Sequence, residues 1–162
     1  MGPQLEGMPR FTYIFVHYSF NELLMSHRIL LVEDDADDRY IMHLAFTELN
    51  YTEQVKVFNS GEEIFKYLQA LPHPSLYPSL LVLDYNMPGM NGGEVLMRLK
   101  MDEALSQIPV VMYSTGMRQL EAKLRGLGAT WCFEKGHQIG EVYALAEKLK
   151  AIVDAREVVE NK

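Results

Sequence analysis

Cysteine is almost missing from this chain: Cys132 is the only one in 162 residues. An internal disulfide is therefore excluded, and nothing points to an oxidising compartment. Positive charge is scarce as well. Against 22 Asp and Glu stand 15 Lys and Arg, for a net charge of -7, and the cations are not clustered. That excludes a surface built to neutralise nucleic-acid phosphates. Repeats and low-complexity segments are absent, so the chain is not a repeat array. Long hydrophobic runs are lacking too: the aromatic stretch from Phe11 to Phe20 is too short to span a bilayer. It makes a poor signal peptide, because Arg10 is balanced by Glu6 and no small-residue cleavage site follows. The expected location is the cytoplasm, with neither membrane nor nucleic acid as a partner.

What is present suits one globular domain. The length allows a single sizeable core, and 48% hydrophobic with 23% charged residues is ordinary for a water-soluble fold. Met25-Ser26-His27-Arg28 directly precedes the first apolar run and makes a natural start. Residues 1–24 are accordingly expected to lie outside the domain, as an upstream extension or a misassigned start. The domain itself is expected over residues 25–156, with 157–162 the end of the last helix or a tail; no stretch after the final helix leaves room for an output domain.

From residue 27 onward, apolar strands alternate with amphipathic helices, the pattern of a parallel sheet covered on both faces. Ile29–Val32, Val55–Phe58, Leu80–Leu83, Val110–Tyr113 and Trp131–Phe133 read as five strands. Most are continuous apolar runs, as strands buried on both sides require. Only the second alternates, which marks an edge. Helical spacing links Ile41, Leu44, Ala45 and Leu49; Ile64, Tyr67, Leu68 and Leu71; Val95, Leu96 and Leu99; and Leu120 with Leu124, which Gly126 and Gly128 terminate. The last and longest stripe is Val142, Leu145, Ala146, Leu149, Ile152 and Val153, continuing towards Val159. Ser60 with Glu63 forms a capping-box signature, and Pro72 to Pro78 a long proline-rich connection.

Chemistry concentrates where the strands stop. The central strand ends in Asp84 and runs into Tyr85-Asn86-Met87-Pro88-Gly89, the first strand ends in Glu33-Asp34-Asp35, and the fifth leads to Lys135. In an open α/β sheet, right-handed crossovers bring these C-terminal ends to one edge, where ligands bind. Glu33, Asp34 and Asp84 crowded together repel unless a cation joins them. Their hard oxygens, with a backbone carbonyl and waters, suit Mg²⁺. Three acids and Lys135 sum to -2, which one divalent cation neutralises. With Ser114 at the end of the fourth strand, this is equipment for phosphoryl transfer, and Asp84 is the candidate nucleophile, giving an aspartyl phosphate.

With these residues in view, residues 27 to about 154 resemble the receiver domain of two-component response regulators, of the CheY-like type. The resemblance rests on Val32-Glu33-Asp34-Asp35, on Asp84 to Pro88 with Gly92 after it, on Ser114 placed 30 residues beyond Asp84, and on Lys135. It implies a flavodoxin-like, doubly wound five-stranded sheet of order 2-1-3-4-5. It also implies Mg²⁺-dependent phosphorylation of Asp84 by a sensor histidine kinase or a histidine phosphotransfer protein, with output through an unidentified downstream protein. Glu33, Asp34, Asp84 and the backbone carbonyl of Asn86 become the metal ligands. A homodimer through the helix 4, strand 5 and helix 5 face is a further expectation. Asp35 is the extra acid, either solvated or a charge at a helix N-terminus.

Several positions depart from the family. Gly136 follows Lys135 where the family usually has a proline in a cis bond, so the Lys135-Gly136 bond is either trans or cis held by its surroundings. Cys132 replaces the usual tyrosine or phenylalanine that reports phosphorylation, which leaves Tyr113 or Trp131 as substitutes in the relay. Thr115 stands where alanine or glycine is usual, and its bulk is expected to hinder the hydrolytic water. His43 and His137 read as ordinary polar residues, and Met87, Met90, Met97 and Met112 as packing residues. Two other functions are weighed. A degenerate receiver would bind partners without phosphorylation. A haloacid-dehalogenase-type phosphatase also uses a strand-end aspartate, Mg²⁺ and lysine, but it needs an acid two residues after the nucleophile, and Asn86 cannot donate and recover a proton.

Overall fold

A computed structural model describes residues 27–136 and 138–160. The expectations for residues 1–24, the Met25-Ser26 start, His137, the side chain of Val159 and residues 161–162 fall outside that range. Five parallel strands, β1 (Ile29–Val32), β2 (Val55–Phe58), β3 (Leu80–Leu83), β4 (Val110–Ser114) and β5 (Trp131–Glu134), form one sheet of order 2-1-3-4-5. Among the described residues five α-helices alternate with them: α1 (Ala36–Glu48), α2 (Gly61–Ala70), α3 (Gly92–Met101), α4 (Met117–Gly126) and α5 (Ile139–Glu160). The expected flavodoxin-like architecture is the one observed. The proline-rich connection carries a short 3-10 turn, Pro74–Leu76, between α2 and β3.

Strand periodicity splits the core into two layers. Leu30, Val32, Leu81, Leu83, Val110 and Met112 face α2, α3 and α4, packing on Ile64, Leu68, Val95, Leu96, Leu99 and Leu124. Ile29, Leu31, Leu80, Val82, Val111 and Tyr113 face α1 and α5 on the other side, packing on Ala45, Phe46, Leu145, Ala146, Leu149 and Val153. The central strands β1, β3 and β4 are buried throughout, which is why their sequences are uninterrupted apolar runs. Both edges, β2 and β5, are only partly buried.

Two packing expectations need correction. The buried stripe of α1 is Met42, Ala45 and Phe46 with Leu49 packed against it, and Leu44 is 38% exposed. At 100° per residue, Leu44 lies about 200° from Met42 and so points away from the sheet. Met87, Met90 and Met112 are buried, whereas Met97 is 43% exposed, on the outer face of α3. Ser60 does cap α2, accepting from Glu63 N at 3.3 Å, but Glu63 Oε2 accepts from Asn59 N and not from Ser60. The reciprocal box is formed instead by Asn91 and Glu94 at the start of α3.

Candidate functional site

Backbone ladders carry the acidic strand ends to one place. Glu33 N donates to Phe58 O, Asp84 N to Val32 O and Lys135 N to Ser114 O, each at 3.0 Å, so pairing continues one residue past the strands and fixes the direction of each side chain. Asp35 is the N-cap of α1, accepting from Asp37 N at 2.8 Å and Asp38 N at 3.0 Å, and these bonds hold its carboxyl below the usual carboxylate range. It is therefore a helix-terminal charge and outside the acidic cluster. Arg39 Nη1 donates to Glu33 O at 3.0 Å and Asp34 O at 2.6 Å, clamping the backbone of the acidic turn.

Lys135 sits inside this group. Its Nζ lies 2.6 Å from Glu33 Oε2, 2.8 Å from Asp38 Oδ2 and 3.3 Å from Asp84 Oδ2, and 5.6 Å from the centre of the Tyr113 ring. Burial alone would pull the ammonium down. Bonds to Asp38 and Glu33, with the charges of Glu33 and Asp84, outweigh it, so Lys135 titrates above an ordinary lysine. Glu33 behaves in the opposite way. Burial pushes its carboxyl from 4.5 up to about 7, and the bond and charge of Lys135 only partly offset that. Lys135 thus does not fully offset the burial of Glu33.

Carboxylate oxygens of Glu33, Asp34 and Asp84 all lie within 4.8 Å of one another. This hard, all-oxygen donor set fits Mg²⁺, which takes few protein carboxylates and retains open positions. Bound there, the cation would supply the positive charge that the clustered carboxylates need.

On the opposite side, Ser114 is fully buried, and its Oγ accepts from Asn86 Nδ2 at 3.0 Å. The same amide donates to Thr115 Oγ1 at 3.3 Å, and Asn86 N donates to Asp84 Oδ1 at 3.3 Å. Asn86 therefore joins the β3 and β4 loops through its side chain, a role beyond the backbone carbonyl that the resemblance implies. Glu134, exposed at the end of β5, accepts from Gly116 N at 2.7 Å and Arg118 N at 3.3 Å. It caps α4, whose own N-cap residue, Gly116, has no side chain to do so.

Two glycines are set by close approach. A Cβ at Gly92 would overlap the carbonyl oxygen of Asp84, because Gly92 N donates to Tyr85 O and seats α3 directly on the turn. At Gly136 a Cβ would overlap the Glu141 carboxylate, which accepts from Gln138 N at 3.0 Å. The Lys135-Gly136 bond is trans, since the described residues contain no cis peptide.

Glu33, Asp34, Asp84 and Lys135 are thus brought together, with Ser114, Thr115 and Asn86 along the next loop. The two aromatic substitutes expected for Cys132 lie on the other face of the sheet from it. Cys132 faces the α2–α4 layer, while Tyr113 and Trp131 belong to the α1–α5 layer on the opposite face of the sheet. A one-residue offset along a strand reverses the face, so neither fills the space beside α4. His43 is exposed on α1, as expected of a polar surface residue. Asp38, Arg39 and Glu134 were missed by sequence reasoning. Nothing in the local sequence links Asp38 to a lysine 97 positions away.

Known proteins share this fold. Cell cycle response regulator CtrA of Brucella ovis is 30% identical over 130 residues, 76% of this chain and 51% of that protein. Probable methanogenesis regulatory protein FilR2 of Methanothrix harundinacea is 33% identical over 88 residues, covering 54% of this chain and 57% of that one. The chain therefore spans about half the length of the curated relatives it matches. The crystal structure of the phosphorylated cyanobacterial phytochrome response regulator RcpA superimposes with a TM-score of 0.67 at 27% identity, over 75% of this chain and 89% of that one. Among the described residues no helix is long and apolar enough to cross a membrane. Residues 29–147 match the response regulator receiver domain, and with that match the chain belongs to the response-regulator receiver family of two-component signalling.

Proposed function

We propose that this chain is a Mg²⁺-dependent phosphoacceptor switch in which Asp84 is the residue modified. The observation that carries the reading is the convergence of Glu33, Asp34 and Asp84 oxygens within 4.8 Å, with Lys135 Nζ 3.3 Å from Asp84 Oδ2. In the proposed step a carboxylate oxygen of Asp84 attacks the phosphorus of a phosphohistidine on a sensor kinase or phosphotransfer protein. The P–N bond breaks and the imidazole nitrogen keeps the electron pair. Lys135 donates to a phosphoryl oxygen, and the Ser114 hydroxyl donates to another. Hydrolysis later returns Asp84 and inorganic phosphate. Glu33, Asp34, Asp84 and the Asn86 carbonyl are the proposed metal ligands, and residues 25–156 the proposed functional unit.

Output is proposed to pass through protein contact, in keeping with the net charge of -7, and the α4–β5–α5 face is the proposed surface for a partner or a second copy. A phosphatase is disfavoured because the Asn86 amide, occupied by two hydroxyls, cannot shuttle a proton. Incubation with acetyl phosphate and Mg²⁺, followed by intact-mass measurement, tests the reading. One added phosphoryl group, absent in Asp84→Asn, is expected. No adduct in the native chain would favour a phosphorylation-independent binding module.

A further inference from the structure

Asp38 stands outside the set from which the phosphoacceptor reading is built, yet it takes one of the two short bonds of the lysine. Lys135 Nζ is 2.6 Å from Glu33, 2.8 Å from Asp38 and 3.3 Å from Asp84, so its best donors are directed at neither oxygen of the phosphoacceptor. The ammonium has three N–H donors, of which Glu33 and Asp38 take two, so a phosphoryl oxygen on Asp84 is left with the third and shares the lysine's charge with both carboxylates. Glu33 is buried with it, whereas the Asp38 side chain is 45% exposed and exchanges the lysine for water at low cost. Charge points the same way. Glu33, Asp34, Asp84 and Lys135 sum to -2, the charge that one divalent cation neutralises; Asp38 adds an anion that nothing in that count balances.

We infer that Asp38 is a positioning residue whose carboxylate competes with a phosphoryl group on Asp84 for the Lys135 ammonium, lowering the occupancy of the phosphorylated state. The inference rests on the reading of Asp84 as phosphoacceptor. Its placement follows from local structure: Asp35 caps α1 by accepting from Asp38 N, which sets Asp38 in the first turn facing Lys135. Asp37 occupies the same turn and carries the same charge, but it is exposed and makes no contact with the lysine among the described ion pairs.

Beryllofluoride, a tetrahedral mimic of the phosphoryl group, tests this at equilibrium when titrated with Mg²⁺ into the full chain and followed by fluorine NMR. Asp38→Asn is expected to bind about two- to fivefold more tightly than the native chain, the size of a partly exposed ion pair. Asp37→Asn should bind like the native chain. The Lys135 ε-methylene resonances should shift in Asp38→Asn alone. Weaker or unchanged binding by Asp38→Asn overturns the inference while leaving the phosphoacceptor reading intact, as does an equal gain in Asp37→Asn, which would mean a diffuse field effect. A native chain that binds no beryllofluoride overturns both.

Discussion

Removing the charge of Glu33 should change how stability depends on pH, and the structure gives the size. Burial raises this carboxyl from 4.5 to about 7, so in the metal-free chain the folded state keeps a proton that the unfolded state has already lost. Stability from this group is fully present below pH 4.5 and is lost as pH rises through about 7. At about 1.4 kcal/mol per pH unit, the gap between the two values corresponds to about 3 kcal/mol, most of it lost between pH 5 and 8. The substitution Glu33→Gln keeps the shape and removes the titration. Urea unfolding of both proteins without divalent cations, at intervals across that range, should show near-equal stability at pH 5 and an advantage for Glu33→Gln at pH 8 on the order of 2 kcal/mol. Saturating Mg²⁺ should flatten the native curve, because a bound cation favours the carboxylate form. Parallel curves for the two proteins would refute the claim that burial outweighs the lysine at Glu33.

Other consequences are local. Gly92→Ala should destabilise the chain by about 1–3 kcal/mol, since the added methyl overlaps the Asp84 carbonyl oxygen; an unchanged thermal midpoint would contradict that close approach. Glu134→Ala should cost about 0.5–2 kcal/mol and speed hydrogen exchange at Gly116 and Arg118, whose amides it leaves uncapped. Thr115→Ala should shorten the lifetime of the phosphorylated state by opening a path for water and releasing the second hydroxyl from Asn86. A dephosphorylation rate equal to that of the native chain would sink that idea.

The strands were legible because buried parallel strands leave uninterrupted apolar runs, their order was implied by the family resemblance, and the site was legible because charges appear abruptly where those runs stop. Glu33, Asp34, Asp84, Ser114 and Lys135 are all found at strand ends for this reason. The α1 stripe was misread at Leu44 because Leu, Met and Phe occur at neighbouring positions, and only the phase set by the Asp35 cap selects Met42, Ala45 and Phe46. Contacts that cross between elements left little trace. Asp38 reaches a lysine 97 positions away, and Glu134 caps a helix that begins before it in the chain. Cys132 was legible as a departure, but strand pleating, which puts Tyr113 and Trp131 on the other face, was not.

The central claim is that Asp84, and no other acid of the cluster, receives the phosphoryl group. Borohydride reduction after acetyl phosphate treatment converts a phosphorylated aspartate to homoserine, and peptide mass mapping then locates it. The account predicts homoserine at position 84 and unmodified Glu33, Asp34 and Asp38. Modification at any of those three, or none at Asp84, would contradict it.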